Sequence, residues 1–244
     1  LMELYEAALR SRGLSRNTTS FYMRILRTVY KKAVEKGMTQ DRHPFKHVYC
    51  GMDKTIKRNI PFTAIKQMKN LDLSKNKVLD FARDMFLFSF YTRGMSFVDM
   101  AYLKKTDLRN GILVYRRKKT GQLLSIEWTR QMQEIIDKYK SNATQYLLSI
   151  ILREDGSERS QYLNQSMKIN RRLKEIASLI KLNIPLSLYV ARHSWATIAR
   201  GKDIPISVIS EGLGHDSEMT TQIYLDSIKS SEVDKANRKI LSGL

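Results

Sequence analysis

Apolar positions along the chain follow two repeat lengths, and the switches between them mark the elements. After "SRGLS", where Ser15 is placed to cap a helix, Tyr22, Ile25, Leu26, Val29, Tyr30 and Ala33 recur at three- and four-residue spacing. That spacing predicts a helix with one apolar face, with Arg16, Arg24, Arg27, Lys31 and Lys32 elsewhere around it and Gly37 as its stop. An earlier helix opens at Leu1 without a capping residue, which reads as the interior of a longer chain. "CGMDKTIKRNIP", residues 50–61, has turn residues and scattered charge but no period, and predicts a linker. Thr63 is placed to cap the next helix, "FTAIKQMKNLDL", and "KVLDFARDMFLFSFY", residues 77–91, is apolar nearly all round, as a buried core helix is. In "GILVYRRKKTGQLLSIEW", residues 111–128, two β-rich runs flank "KKTGQ" and predict a hairpin with Gly121 in the turn. Helical patterns return at about 129–140 and 161–181, followed by short helices near 188–200, 205–213 and 218–225. The expected fold class is mainly α with one small antiparallel β-hairpin.

Composition changes this picture in one respect. With 42% hydrophobic and 27% charged residues, the 244-residue chain is ordinary globular material, long enough for one large domain or for a small and a medium one. The charge is not ordinary: 43 Lys and Arg stand against 24 Asp and Glu, a formal net of +19, and residues 1–60 alone carry 13 against 5. Such an excess points to a polyanion, because every phosphate neutralised releases condensed counterions. Nucleic acid fits this better than an acidic membrane surface, and no apolar run approaches the roughly 20 residues that span a bilayer. Cys50 is the sole cysteine, which excludes a disulfide framework and a cysteine-based zinc site. His43, His47, His193 and His215 lack metal-ligand spacing, and Pro44 argues against a shared helical face for the first two. The expectation is a chain of a reducing, cytoplasmic compartment that works without a metal or other cofactor.

The chemistry is concentrated near the C-terminal end. "LSLYVARHSWATIARG" places Arg192 near the start of a helix that Ser187 can cap, with Trp195, Ala196 and Ile198 on its packed side. "EGLGHDSEMTTQIYL" follows with His215, 23 residues after Arg192, and Tyr224, nine residues further on. Taken alone, His215 reads as a residue after a glycine C-cap and Tyr224 as one of twelve tyrosines. As an ordered series, "ARHSWAT", "LGHDS" and "TTQIYL" resemble the tyrosine recombinase, or phage integrase, family in its mobile-element branch. That family carries His-x-x-Arg-His-[Ser/Thr], then Leu-Gly-His, then a nucleophilic tyrosine nine residues beyond. "GLSRNTTSFYMRILRTVYKKAVEKG" is similar to the end of the family's helical, SAM-like core-binding domain, and "INRRLKEIA" at 169–177 also fits.

The resemblance implies a core-binding domain over 1–55, truncated at its N-terminus, a linker at 56–61 and a mixed α/β catalytic domain over 62–244. It implies that Tyr224 attacks a DNA phosphodiester, forms a 3′-phosphotyrosyl ester and passes the strand to a partner through a Holliday junction. Arg192 would clamp the non-bridging oxygens and His215 would bond the phosphate or assist with the phenolic proton. A hairpin lysine would protonate the leaving 5′ oxygen. Lys119 is the choice, because Lys118 should point to the opposite face of the strand. Because the ester conserves the bond energy, no metal or ATP is needed. Double-stranded DNA, further copies of the chain in a tetramer and accessory DNA-bending proteins are the implied partners. The implied setting is the bacterial cytoplasm, at the nucleoid when DNA is bound, without membrane association. Arg16, Arg24, Arg27, Lys31 and Lys118 are expected on DNA. Val233, Ala236 and Ile240 form one face of a tail suited either to a neighbouring protomer or to the chain's own domain.

The chain departs from the family pattern twice. "YTRGMSFVDMAYL" places Ser96 where the first catalytic arginine belongs; Arg93, three residues earlier, and Arg117, two residues before Lys119, are the candidate substitutes. Tyr189 occupies the histidine position of His-x-x-Arg, where a phenol can donate a hydrogen bond but is a poor base near neutral pH. These departures leave open a DNA-binding protein of the same fold with impaired catalysis. A type IB topoisomerase shares the chemistry and is the other alternative.

Overall fold

The computed structural model describes residues 1–53, 59–139 and 142–225. The chain divides into two compact units, Leu1–Ile56 and Lys57–Leu244. The tail positions Val233, Ala236 and Ile240 lie outside the described residues, as does part of the linker.

The first unit is a helical pair, α1 (Met2–Ser11) and α2 (Arg16–Glu35), closed by the irregular segment that follows. Ser15 caps α2 by accepting the Thr18 N–H. The face of α2 that packs differs from the apolar one read in the sequence. Its buried side chains are Thr19, Ser20 and Met23, whereas Tyr22, Ile25, Leu26 and Val29 are exposed. Hydrogen bonds orient the helix instead of apolar area. Ser20 Oγ donates to the Gly51 carbonyl at 2.5 Å, Asn17 exchanges two bonds with the Asp53 backbone, and the Tyr30 hydroxyl bridges Gln40 and Arg42. Small polar residues at 19 and 20 let the loop backbone approach closely. Leu9, Met23 and Val48 form the small core beneath.

The second unit is built around α4 (Lys77–Tyr91), capped by Asn76 and packed against α3 (Phe62–Asn70), α6 (Arg130–Lys138), α7 (Glu158–Leu179) and α8 (Leu188–Arg200). Its nearly all-round apolar surface is consistent with this position: Met85, Phe86 and Phe88 are fully buried. Helix α3 has Pro61 rather than Thr63 at its N-cap, because the chain is extended at Pro61 and helical from Phe62. Beyond α5 (Phe97–Tyr102) a 3-10 turn at Lys105–Asp107 leads into an antiparallel sheet. It has three strands, β1 (Leu108–Arg109), β2 (Ile112–Arg116) and β3 (Leu123–Glu127), in that order. Leu113 pairs with Ile126 and Tyr115 with Leu124, and this buried face packs into the main core. Three shorter elements close the unit: α8, α9 (Ile206–Leu213) and α10 (Glu218–Tyr224). Among the described residues no helix is long and apolar enough to cross a membrane.

A buried charge network pins α6 to α4. Asp84 accepts from Arg83 Nε at 2.8 Å, Lys138 Nζ at 2.7 Å and the Tyr139 hydroxyl at 2.8 Å, and Asp80 engages Arg83 and Lys138 as well. Burial, then the Asp84 charge, push the Tyr139 phenol well above its ordinary pKa, so it remains a donor. Asp84→Ala removes the acceptor that Arg83, Lys138 and Tyr139 share, although Asp80 still pairs with Arg83, and should lower the urea-unfolding free energy by about 2 kcal/mol. An unchanged unfolding midpoint would rule the network out as a source of stability.

Candidate active site

Five segments of the second unit converge on Arg192. This residue lies in the second turn of α8, is 6% exposed, and is surrounded by backbone. Its Nη1 donates to the Gly94 carbonyl at 2.9 Å and its Nη2 to the Leu213 carbonyl at 2.5 Å. Helix α8 can come this close to the turn after α4 only because residue 94 has no side chain. A Cβ on Gly94 would lie 2.7 Å from Arg192 Cα, and the backbone there is left-handed, with φ +76°.

His215 follows directly from the end of α9. Gly214 ends that helix in the left-handed conformation, φ +63°, and turns the chain so that the imidazole meets the guanidinium. His215 Nε2 is 3.1 Å from Arg192 Nη2, and Nδ1 is 2.8 Å from the Thr221 hydroxyl on α10. Burial is the main cause that draws the His215 pKa down from 6.5 to about 4, and the charges of Arg192, Arg117 and Lys119 add to it. The ring is therefore neutral at physiological pH.

Arg117 reaches the same place from the hairpin. It is 6% exposed, its Nη1 donates to the Gly214 carbonyl, and a Cβ on Gly214 would lie 2.8 Å from its Cδ. Both guanidinium groups thus rest on the last carbonyls of α9, Leu213 and Gly214, where the helix dipole is negative. Strand β2 stops at Arg116, and Lys118, Lys119 and Thr120 form the turn, so strand alternation does not govern the two lysines as the sequence suggested. The turn begins there because the Arg117 N–H bonds Gln122 O and the Gly121 N–H bonds Arg117 O, which closes the hairpin. Lys119 is exposed in this turn and near enough to His215 for its charge to be felt. Lys118 swings the other way, its ammonium 3.9 Å from the centre of the Tyr102 ring.

Arg93 and Ser96 are placed differently. Arg93 is left-handed, φ +60°, its Nη1 reaches the Ser125 carbonyl on β3 at 3.3 Å, and its Cδ would lie 3.7 Å from a Cβ on Gly212. Ser96 caps α5, and its hydroxyl donates to Asp99 Oδ2 at 2.6 Å. The other oxygen of Asp99 accepts the Lys118 N–H at 2.8 Å, which ties α5 to the hairpin turn. Tyr189 is 61% exposed, with its ring edge-on to buried His193 at 4.5 Å. Tyr224 is the last residue of α10, about one helical turn beyond Thr221. In the first unit Arg16 stacks 3.7 Å over Tyr49 and pairs with Asp53, while Arg24, Arg27 and Lys31 are exposed on α2. The sequence reading missed Gly94, Thr221 and the two α9 carbonyls. For Gly94 the signal was faint, one glycine among eleven, and for the carbonyls there is none.

The arrangement can hold an anion between two fixed guanidinium groups, beside a neutral imidazole and within reach of an exposed ammonium. Residues 62–231 match the model of the phage integrase family, and residues 1–49 match the phage integrase SAM-like domain. The tyrosine recombinase XerA of Pyrococcus furiosus is 25% identical over 89% of this chain and 72% of its own length. A probable integrase/recombinase of Methanocaldococcus jannaschii is 28% identical over 57% of this chain, and the match spans only 43% of that relative. Among solved structures, a lambda integrase dimer bound to a COC′ core site superposes with TM-score 0.69 at 16% identity, covering 94% of this chain and 80% of that one. The Tn1549 transposon integrase in complex with transposon right end DNA gives 0.69 at 13% identity, covering 99% and 84%. With its family model matched across the whole described part of the second unit beyond Pro61, the chain belongs to the phage integrase family.

Proposed function

We propose that the chain is a site-specific DNA recombinase that cuts and rejoins DNA through a tyrosyl ester at Tyr224. The observation that carries this reading is the contact of Arg192, His215 and the α9 carbonyls, with Arg117 on the same carbonyls and α10 leading to Tyr224. On this reading Arg192 and Arg117 hold the non-bridging oxygens of the scissile phosphate, which they neutralise without ever losing charge. The Tyr224 oxygen bonds to phosphorus as His215 takes its proton. The P–O5′ bond breaks as Lys119 gives a proton to the departing oxygen. Arg93 then braces β3 rather than touching phosphate, and Tyr189, three residues before Arg192, donates its hydroxyl to the phosphate. The SAM-like segment, residues 1–55, joins through 56–61 to the catalytic part, 62–244, and Arg16, Arg24, Arg27, Lys31 and Lys118 contact the DNA backbone. Pairs of duplexes are handled by four copies, with accessory bending proteins and in a bacterial cytoplasm.

Ser96 and Tyr189 favour a second reading, a DNA-binding protein of this fold that no longer cleaves. A nicked duplex from the flanks of the encoding element separates the two, because the short cut fragment diffuses away and traps the covalent complex. The expected outcome is an adduct stable to denaturant whose tryptic phosphopeptide maps to Tyr224. Tight binding with no adduct across several nick positions would favour the second reading, and relaxation of any supercoiled plasmid without a site would indicate a topoisomerase.

A further inference from the structure

The contacts of His215 determine which nitrogen carries its proton. Nε2 faces Arg192 Nη2 at 3.1 Å, and a guanidinium has donors only, so Nε2 must present a lone pair. The ring is held neutral by burial and by Arg192, Arg117 and Lys119, with Asp216 the acid acting against them. Its one proton is therefore on Nδ1, where the acceptor is the Thr221 hydroxyl at 2.8 Å. Thr221 is fully buried, so no solvent competes for that bond.

We propose that Thr221 is a positioning residue that fixes His215 as the Nδ1–H tautomer, so that the Nε2 lone pair, which takes the Arg192 N–H in this structure, accepts a proton once that guanidinium turns to the phosphate. The chemical consequence rests on the recombinase reading above. It assigns His215 to the phenolic proton of Tyr224, and it makes the Thr221 bond a link between the nucleophile's helix and the phosphate-binding arginine. If α10 moves, the histidine loses its tautomer control together with its neighbour. The proton balance is closed: the Tyr224 proton goes to Nε2, and the leaving 5′ oxygen receives one from Lys119.

Two measurements test this. The first is nitrogen NMR of histidine-labelled protein without DNA, with His215 identified from the spectrum of His215→Asn. Wild type should show Nδ1 protonated and Nε2 bare, and Thr221→Val should move the ring toward a mixture of tautomers. The second is the rate of adduct formation on the nicked duplex. Thr221→Val should bind DNA as wild type does and react about a hundredfold more slowly, the scale of a misdirected general base. Thr221→Ser, which restores the hydroxyl, should recover most of that rate. A wild-type ring protonated on Nε2, or a Thr221→Val protein that reacts at the wild-type rate, overturns the proposal. Absence of any wild-type adduct counts against the recombinase reading alone, since the NMR measurement still decides the tautomer.

Discussion

Arg192→Ala should bind its DNA site and leave it uncut. A guanidinium fixed at the charge that develops during phosphoryl transfer is worth roughly 10³- to 10⁵-fold in rate. Burial and fixed orientation place Arg192 in that class. It is 6% exposed, and its bonds include those to Gly94 O, Leu213 O and His215 Nε2. Those carbonyls and the neutral imidazole hold the guanidinium in one orientation before phosphate arrives. The alanine variant loses the clamp and strands two carbonyls, each at a cost of about 1–3 kcal/mol. Thermal unfolding is therefore recorded beside the single-turnover rate. Arg192→Lys keeps the charge but not the planar fork and should fall between wild type and alanine. A folded Arg192→Ala protein that forms adduct within tenfold of the wild-type rate would remove Arg192 from the chemistry.

How far such assignments could be read from sequence depends on which part of the chain carries the information. The helices and the hairpin were legible because burial repeats at 3.6 or 2 residues, and Met85, Phe86 and Phe88 on α4, or Leu113 and Tyr115 on β2, have no other way to leave water. Strand β1 was not, since two residues carry no period. The packing face of α2 was misread for a different reason. Its orientation comes from Asn17, Ser20 and Tyr30 bonding the loop that follows, and polar residues at helical spacing look like a solvated face. Arg192 and His215 stood out as motif residues, but what holds them did not. The Leu213 and Gly214 carbonyls have no side-chain signature, and the need for glycine at 94 appears only once α8 lies against the turn after α4. Nor could the sequence say where Arg93 and Arg117 point, because that depends on a left-handed backbone at 93 and on a strand that ends at Arg116, and the choice between them falls to experiment.

That choice gives the second large effect. Arg117→Ala should slow adduct formation by roughly 10²- to 10³-fold, as loss of one fixed donor to a developing oxyanion does, while Arg93→Ala should change it by less than about tenfold. Arg117 shares the α9 C-terminus with Arg192, contributes to the field that keeps His215 neutral, and is buried. Arg93 reaches a β3 carbonyl at 3.3 Å, so its removal loosens the sheet edge and shows up first in stability. The two variants also differ in pH response. Removing the Arg117 charge lifts one of the influences that depress His215, so the His215 pKa should rise from about 4 toward its ordinary 6.5, and more of the ring should be protonated near pH 5. A histidine already protonated cannot accept the Tyr224 proton, so the acid limb of the rate profile should move to higher pH in Arg117→Ala and stay in place in Arg93→Ala. The reverse pattern, with the larger rate loss and the moved limb in Arg93→Ala, would make Arg93 the substitute for the arginine that Ser96 displaces.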